Sequence, residues 1–430
     1  MAELHNNTIW KHADKDLADG SAQVISILQG EGHEAFWVGG CVRDEYMGRT
    51  VNDMDITTNA LPEVTLSLFE KVIPTGMKHG TVTVLMHGHA YEVTTYRIEK
   101  GYEDHRRPSE VEFVDDIEKD LRRRDFTMNA MALAMDGRFV DPFGGRSDID
   151  DRLIRCVGDP KVRFQEDALR MIRCIRFASN FGFMIAKDTW AALLEQRSTL
   201  GWVAMERIRT ELDKLMSGPD PLRGLELIRE GRLYEHVKMP FPYSGHQSAY
   251  ISAIPAVGMS SPEQVDVRYA LLLLGCRIPS STPLLRQWTF SNRRMELIKK
   301  LLQLQEAWTE NSEGLTSEQA RLLWIRCVLI AGEPIAALWL ELQQAVQTAG
   351  GTPAVDIPQA RAWLSGMPVK SLRELALTGD GLLSAVGRRG GPWMKPLLSH
   401  LLLLAASGQV GNDTTLLIEE AKRVIIDEGI

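Results

Sequence analysis

The feature that most limits the fold of this chain is a change of rhythm after residue 145. Upstream, short segments alternate apolar and polar side chains; downstream, from about Asp159, apolar residues recur at helical spacing and strand signals become scarce. A strand pattern buries every second residue and a helix pattern one stripe, so the two stretches cannot share one regular geometry. At 430 residues the chain also exceeds one ordinary core. The expectation is an α+β N-terminal domain with a mixed or antiparallel sheet, followed by an all-α remainder.

Within the first part, residues 35–38 are short and apolar and residues 53–58 alternate. Residues 81–86 and 91–96 alternate around His87-Gly88-His89, a hairpin signal. The breaker-rich stretch 141–145 closes this part. Further breaks fall near 217–219, 240–245, 279–283, 309–314 and 350–358. They divide the chain into expected domains at 1–150, 151–217, 218–308 and 309–430.

Five cysteines without a CxxC pair argue against zinc and against a disulfide framework, and favour a reducing cytoplasm. No apolar run approaches the ~20 residues of a membrane-spanning helix, and the residues through Asp19 carry no secretory pattern. A net charge of −8 looks wrong for a nucleic-acid binder. Local patches decide that question, however, and basic residues cluster at 122–124 and across 161–176.

Two constellations carry chemistry. In the first, Gly39-Gly40 follows an apolar strand and leads to Arg43 and Asp44. Paired glycines let backbone N–H groups approach a bulky anion, and Arg43 adds a charged fork for phosphate oxygens. A few residues on, Asp53-Met54-Asp55 in an alternating strand puts both carboxylates on one face, where they repel unless a cation sits between them. Alone, each motif is also a plain turn or a solvated edge strand. Together they supply a triphosphate cradle and Mg²⁺ ligands, as phosphoryl transfer requires. Glu92 is a candidate third carboxylate, and Arg124, at the end of a run of three arginines, is a candidate for the nucleotide.

In the second constellation, Glu166-Asp167 runs on to Arg170, Arg173 and Arg176 within an expected amphipathic helix, with Asp167 and Arg170 on one face. The plain reading is an i,i+3 ion pair with solvated arginines. The functional one is a base reader. A carboxylate beside a guanidinium matches the amino donor and ring acceptor of cytosine and adenine, whereas uracil and guanine present the inverse. A wrong base would leave buried groups unpaired.

At this point the chain resembles the bacterial class II tRNA nucleotidyltransferases, the CCA-adding enzymes of the polymerase-β-like superfamily. The matching stretches are VGGCVRD (38–44), DMDITT (53–58), YEVTTYR (91–97), RRDFTMNA (123–130) and EDALRMIRCIRF (166–177). Weaker similarity continues into GRRGGPWMKPLL (387–398). The resemblance implies a nucleotidyltransferase head followed by helical neck, body and tail, with tRNA bound by its acceptor stem and elbow. It implies Asp53 and Asp55 as catalytic ligands of Mg²⁺. Gly40, Arg43 and Arg124 would hold ATP or CTP, Asp167 and Arg170 would read the base, and Arg173 and Arg176 would complete the pocket. It also suggests a homodimer.

Residues 99–110 resemble the flexible loop that full CCA-adding members keep for the final A. No HD-type phosphohydrolase signature and no long basic C-terminal extension is present, which favours a tRNA-dedicated enzyme. The alternatives within the same chemistry are a CC-only or A-only enzyme or a poly(A) polymerase. From another class, the alternative is a non-catalytic tRNA-binding protein.

Overall fold

The computed structural model describes residues 9–103, 107–239 and 253–428. The chain divides into two compact units, residues 1–215 with 223–241, and residues 216–222 with 242–430.

The first unit holds the sheet. Its strands β1 (Ala35–Val38), β2 (Ile56–Thr58), β3 (Val72–Gly76), β4 (Thr81–Met86), β5 (His89–Thr95), β8 (Ala132–Leu133) and β9 (Phe139–Val140) take the order β3-β4-β5-β2-β1-β8-β9. β2 and β5 run parallel, and every other neighbouring pair is antiparallel. Two further strands, β6 (Arg97–Glu103) and β7 (Arg107–Phe113), form a separate antiparallel ribbon. The segment expected as a flexible loop, 99–110, is therefore mostly strand, and its tip at 104–106 lies outside the described residues.

The four apolar residues of β1 are all buried, as a central strand requires. Trp37 has no exposure, and its Nε1 donates to Ser21 Oγ of α1 (Lys15–Gly30) at 2.8 Å. α1 begins at Asp14, whose carboxylate accepts from the N–H groups of Asp16 and Leu17. Gly20 in α1 gives Tyr91 of β5 room: a Cβ there would fall 2.2 Å from the phenol oxygen, which donates to Leu17 O at 2.9 Å. The hairpin predicted around His87-Gly88 forms with a two-residue turn at φ 52° and 80°. That geometry matches the twist of antiparallel strands.

Four further helices belong to the sheet region or adjoin it: α2 (Gly40–Tyr46), α3 (Pro62–Leu68), α4 (Ile117–Arg122) and α5 (Gly145–Asp150). After a short parallel pair, β10 (Leu153–Ile154) and β11 (Met184–Ile185), the unit is helical: α6 (Pro160–Glu166), α7 (Leu169–Phe181), α8 (Lys187–Gln196) and α9 (Met205–Met216). The break expected at 217–219 separates α9 from the next helix, at Pro221–Glu230. The break expected at 240–245 lies outside the described residues.

The second unit is helical throughout its described residues, with its longest helices at Asn292–Asn311, Ser317–Ala331, Glu333–Thr348, Met394–Ser407 and Thr414–Glu428. Trp308, Trp324 and Trp339 meet in its core with ring centroids 5.5–6.2 Å apart. Arg268, 1% exposed, donates to the carbonyls of Gly218 and Ser260 at 2.8 and 2.6 Å, which satisfies a guanidinium that burial would otherwise penalise. No single described helix is long and apolar enough to cross a membrane.

All five cysteines are free thiols, four buried and Cys276 half-buried. Burial pushes the thiols of Cys41, Cys156 and Cys276 up to about 12 and that of Cys327 up to about 11. It also carries Cys174 well above the ordinary range.

Candidate active site

β1 ends at Val38, and the chain turns through Gly39 (φ 77°, ψ −122°) into α2. Only glycine adopts that backbone readily. A Cβ on Gly39 would also lie 3.0 Å from Arg124 Nη1. Gly40 opens α2, where the first N–H groups of a helix have no partner within it.

Arg43, 8% exposed, does not wave its fork at solvent. Its Nε and Nη2 donate to Asp44 at 3.0 and 2.8 Å, and its Nη1 donates to Asn129 Oδ1. Its guanidinium carbon lies 5.3 and 4.9 Å from the ring centroids of Phe177 and Phe181. Three hydrogen bonds leave two of five N–H donors for something else.

Asp53 and Asp55 differ in detail from expectation. The strand predicted over 53–58 begins only at Ile56, where Trp37 and Val93 flank it on both sides. The aspartates lie on the approach to it, and Val38 N donates to Asp55 O at 3.0 Å. The expected alternation survives: Met54 is 1% exposed, Asp53 is exposed and Asp55 half-buried. Burial first, then the Asp53 charge, pushes the Asp55 carboxyl up to about 6, with Arg124 opposing and Glu92 adding to the rise. Glu92 is exposed on β5, one residue before Val93 and hence beside Asp55 in the parallel register.

Two neighbouring carboxylates, one of them raised by burial and then by the charge of the other, are a donor set that a divalent, oxygen-seeking cation fits. Among the described residues, no group of three or more His, Cys, Asp or Glu side chains could hold an ion by itself. Any ion here would thus take further ligands from a phosphate or from water.

Arg124 borders the same turn. Its Nη2 lies 3.4 Å from Asp120 Oδ2, and its buried Nε has no hydrogen-bond partner. A buried guanidinium N–H left unspent is costly and suits a site that receives an acceptor.

The expected helix over 166–177 is interrupted. α6 ends at Glu166 and α7 starts at Leu169; Asp167 between them is extended (φ −140°, ψ 103°). The cause is local competition: the Asp167 carboxylate accepts from Leu169 N at 3.1 Å. Asp167 and Arg170 therefore do not share a helix face. Arg207 of α9 holds Asp167 with two bonds, at 3.3 and 2.8 Å. Arg170, 8% exposed, donates instead to Glu166 Oε2 at 2.6 Å and to the carbonyls of Arg163 and Arg123 at 3.1 and 2.9 Å.

Arg173 and Arg176 are likewise engaged. Arg173 grips Asp125 Oδ2 through Nε and Nη2 at 2.9 and 2.7 Å. Arg176 donates to Glu211 Oε2 at 2.7 Å and covers the Phe177 ring at 3.9 Å. Burial opposes ionisation of both acids, yet Arg173 holds Asp125 below the usual carboxylate range, and Arg176 with Arg173 does the same for Glu211. Asn129 Nδ2 donates to Asp125 Oδ1 at 2.9 Å. A continuous polar line thus runs Arg43–Asn129–Asp125–Arg173–Glu211–Arg176.

Asp120, Asp125, Asn129, Arg207 and Glu211 are the site neighbours that sequence reasoning missed. Asp125 and Asn129 had a signal, the i,i+4 spacing inside RRDFTMNA. Arg207 lies 40 residues from Asp167, and nothing local advertises that pair.

Residues 35–155 match the family described as the poly A polymerase head domain, and residues 261–421 match domain 2 of tRNA nucleotidyltransferases. The chain is 37% identical over 390 residues to a CCA-adding enzyme of Geobacillus thermodenitrificans, covering 91% of this chain and 93% of that one. It is 36% identical to the CCA-adding enzyme of Bacillus subtilis, covering 90% and 94%. Its structure is similar to that of the Bacillus stearothermophilus CCA-adding enzyme in complex with CTP. The TM-score there is 0.79 at 32% identity, over 97% of this chain and 99% of that one. A Thermotoga maritima CCA-adding enzyme complexed with tRNA, at 18% identity and TM-score 0.65, shares the fold.

Proposed function

Because this chain belongs to the CCA-adding enzymes, the tRNA nucleotidyltransferases, we propose that it adds C, C and A to the 3′ end of tRNA from CTP and ATP without a nucleic-acid template. The 3′ hydroxyl of the RNA attacks the α-phosphorus of the incoming nucleotide, a phosphodiester forms, and pyrophosphate leaves.

The residues divide the work by their chemistry. Gly40 offers backbone N–H groups to the triphosphate, and Arg43 and Arg124 offer guanidinium donors already fixed by their neighbours. A fixed donor loses little freedom on binding, which is where positioning gains its effect. Asp53 and Asp55 hold divalent metal, taken here as Mg²⁺. Such an ion, when bound, supplies positive charge on phosphate oxygens and acidifies the attacking hydroxyl.

Asp167, presented by Arg207, accepts from the amino group of C or A; Arg170 would donate to the adjacent ring nitrogen by exchanging its bond to Glu166 or to a backbone carbonyl for one to the base. Arg173 and Arg176 form the floor of that pocket. With the chain divided at 150, 217 and 308 into head, neck, body and tail, the helical part after the head receives the acceptor stem and elbow. We also take the protein to act in the cytoplasm as a homodimer.

The observation that carries this reading is the meeting of Asp55, the Gly39 turn and Arg124 at one end of β1, in a chain alignable nearly end to end with CCA-adding enzymes. The test is stepwise extension of tRNA lacking its 3′ terminus with CTP alone, ATP alone and both. The expected products are two additions with CTP and a third only when ATP follows. Arrest after C-C with both nucleotides present, or a long A ladder, would replace the assignment with a CC-only enzyme or a poly(A) polymerase.

A further inference from the structure

Asp120 is a fully buried carboxylate, with no solvent exposure, at the end of α4. It touches none of the groups assigned to substrate except through Arg124. Its Oδ1 receives Arg123 Nε and Nη2 at 2.9 and 2.8 Å and the backbone N–H of Arg97 at 3.3 Å. Its Oδ2 faces Arg124 Nη2 and Thr57 Oγ1, both at 3.4 Å. Thr57 lies in β2, two residues after Asp55. Arg97 begins the β6–β7 ribbon, and Arg123 Nη1 reaches Glu99 of that ribbon at 3.1 Å.

The location of this charge is informative. Three consecutive arginines, 122–124, would repel one another and spread into solvent if left alone. A buried anion is expensive unless guanidinium groups surround it, so it fixes where Arg123 and Arg124 can be. Arg123 is turned to the ribbon. Arg124 is turned to Gly39, with its Nη1 3.0 Å from the point a Cβ there would occupy and its buried Nε unsatisfied. The Arg97 N–H adds a backbone donor to Oδ1, while Thr57, whose single hydroxyl proton also reaches Thr94 O at 3.2 Å, borders Oδ2.

We propose that Asp120 is the positioning residue for Arg124, setting the guanidinium at the nucleotide turn and joining that setting to the base of the β6–β7 ribbon through Arg123. The inference rests on the nucleotidyltransferase reading above and names the residue through which Arg124 acts.

The test compares wild type, Asp120→Asn, Arg124→Ala and the double variant. Readouts are KM and kcat for CTP and ATP, KM for tRNA, and thermal midpoint. Asp120→Asn keeps the shape and removes the charge. The expected result is a rise of tenfold or more in KM for both nucleotides with KM for tRNA unchanged, and a double variant no worse than Arg124→Ala alone. A general structural defect would instead raise KM for tRNA in parallel and multiply with Arg124→Ala.

Should Asp120→Asn not fold, Asp120→Glu restores the charge at a shifted position. It should fold and show a nucleotide KM between wild type and Arg124→Ala. Wild-type nucleotide KM in either folded variant, or multiplicative losses in the double variant, overturns the proposal. Absence of tRNA extension by the wild type would overturn the functional reading instead, so the two failures are distinguishable.

Discussion

Gly39 and Asp55 show how much single residues are asked to do. Gly39 combines a positive φ with a neighbour, Arg124 Nη1, 3.0 Å from a Cβ position. Gly39→Ala should lose about 1–3 kcal/mol to backbone strain alone, measurable by denaturant unfolding, and should weaken CTP binding by displacing Arg124. Asp55 has a pKa raised from 3.8 to about 6, so the folded protein holds that proton more tightly than the unfolded chain. Its stabilising contribution is full below about pH 4 and is lost as pH rises through about 6. Without divalent cations, Asp55→Asn should therefore match wild type in thermal midpoint near the acid end of that window and exceed it near neutrality. Added Mg²⁺ should raise the wild type more than the variant. A gap that ignores pH would remove the charge repulsion invoked for the pair.

At the level of elements, the decisive feature is the interruption between α6 and α7. The sequence pattern over 166–177 is periodic and reads as one helix, because apolar spacing registers the buried face and not the backbone of a residue whose side chain caps its own successor. Asp167 is such a residue, and Arg207, which grips it, comes from a different helix. Non-local pairing of that kind leaves no trace in spacing. The hairpin at 81–95 was legible because turn chemistry and alternation are both local, whereas the shortening of β2 to Ile56–Thr58 depends on where its partners begin. Arg207→Ala should release the Asp167 carboxylate and loosen base choice. Misincorporation of U and G should rise roughly as much as in Asp167→Ala, with Mg²⁺ dependence unchanged. Retained selectivity in Arg207→Ala would show that α9 only supports the fold.

Over the whole molecule, the division into two compact units predicts that unfolding need not be a single transition. A ligand that binds one folded unit stabilises that unit by mass action, by about 2.7 kcal/mol at a hundredfold excess over Kd. Calorimetry with CTP should therefore move the transition of the unit containing Asp53 and Arg124 and leave that of the Trp308–Trp324–Trp339 core in place. One transition that shifts as a whole would mean that the two cores melt together. The five cysteines extend across both units; burial raises all five thiols above their ordinary range, with Cys41, Cys156, Cys174 and Cys327 buried and Cys276 half-buried. Cys276 is therefore the native thiol that a maleimide should reach first, and its replacement leaves four buried ones. With Cys276 replaced, a single cysteine introduced on an exposed helix would take a fluorophore ahead of the four buried ones and make the enzyme a ready subject for distance measurements while it works.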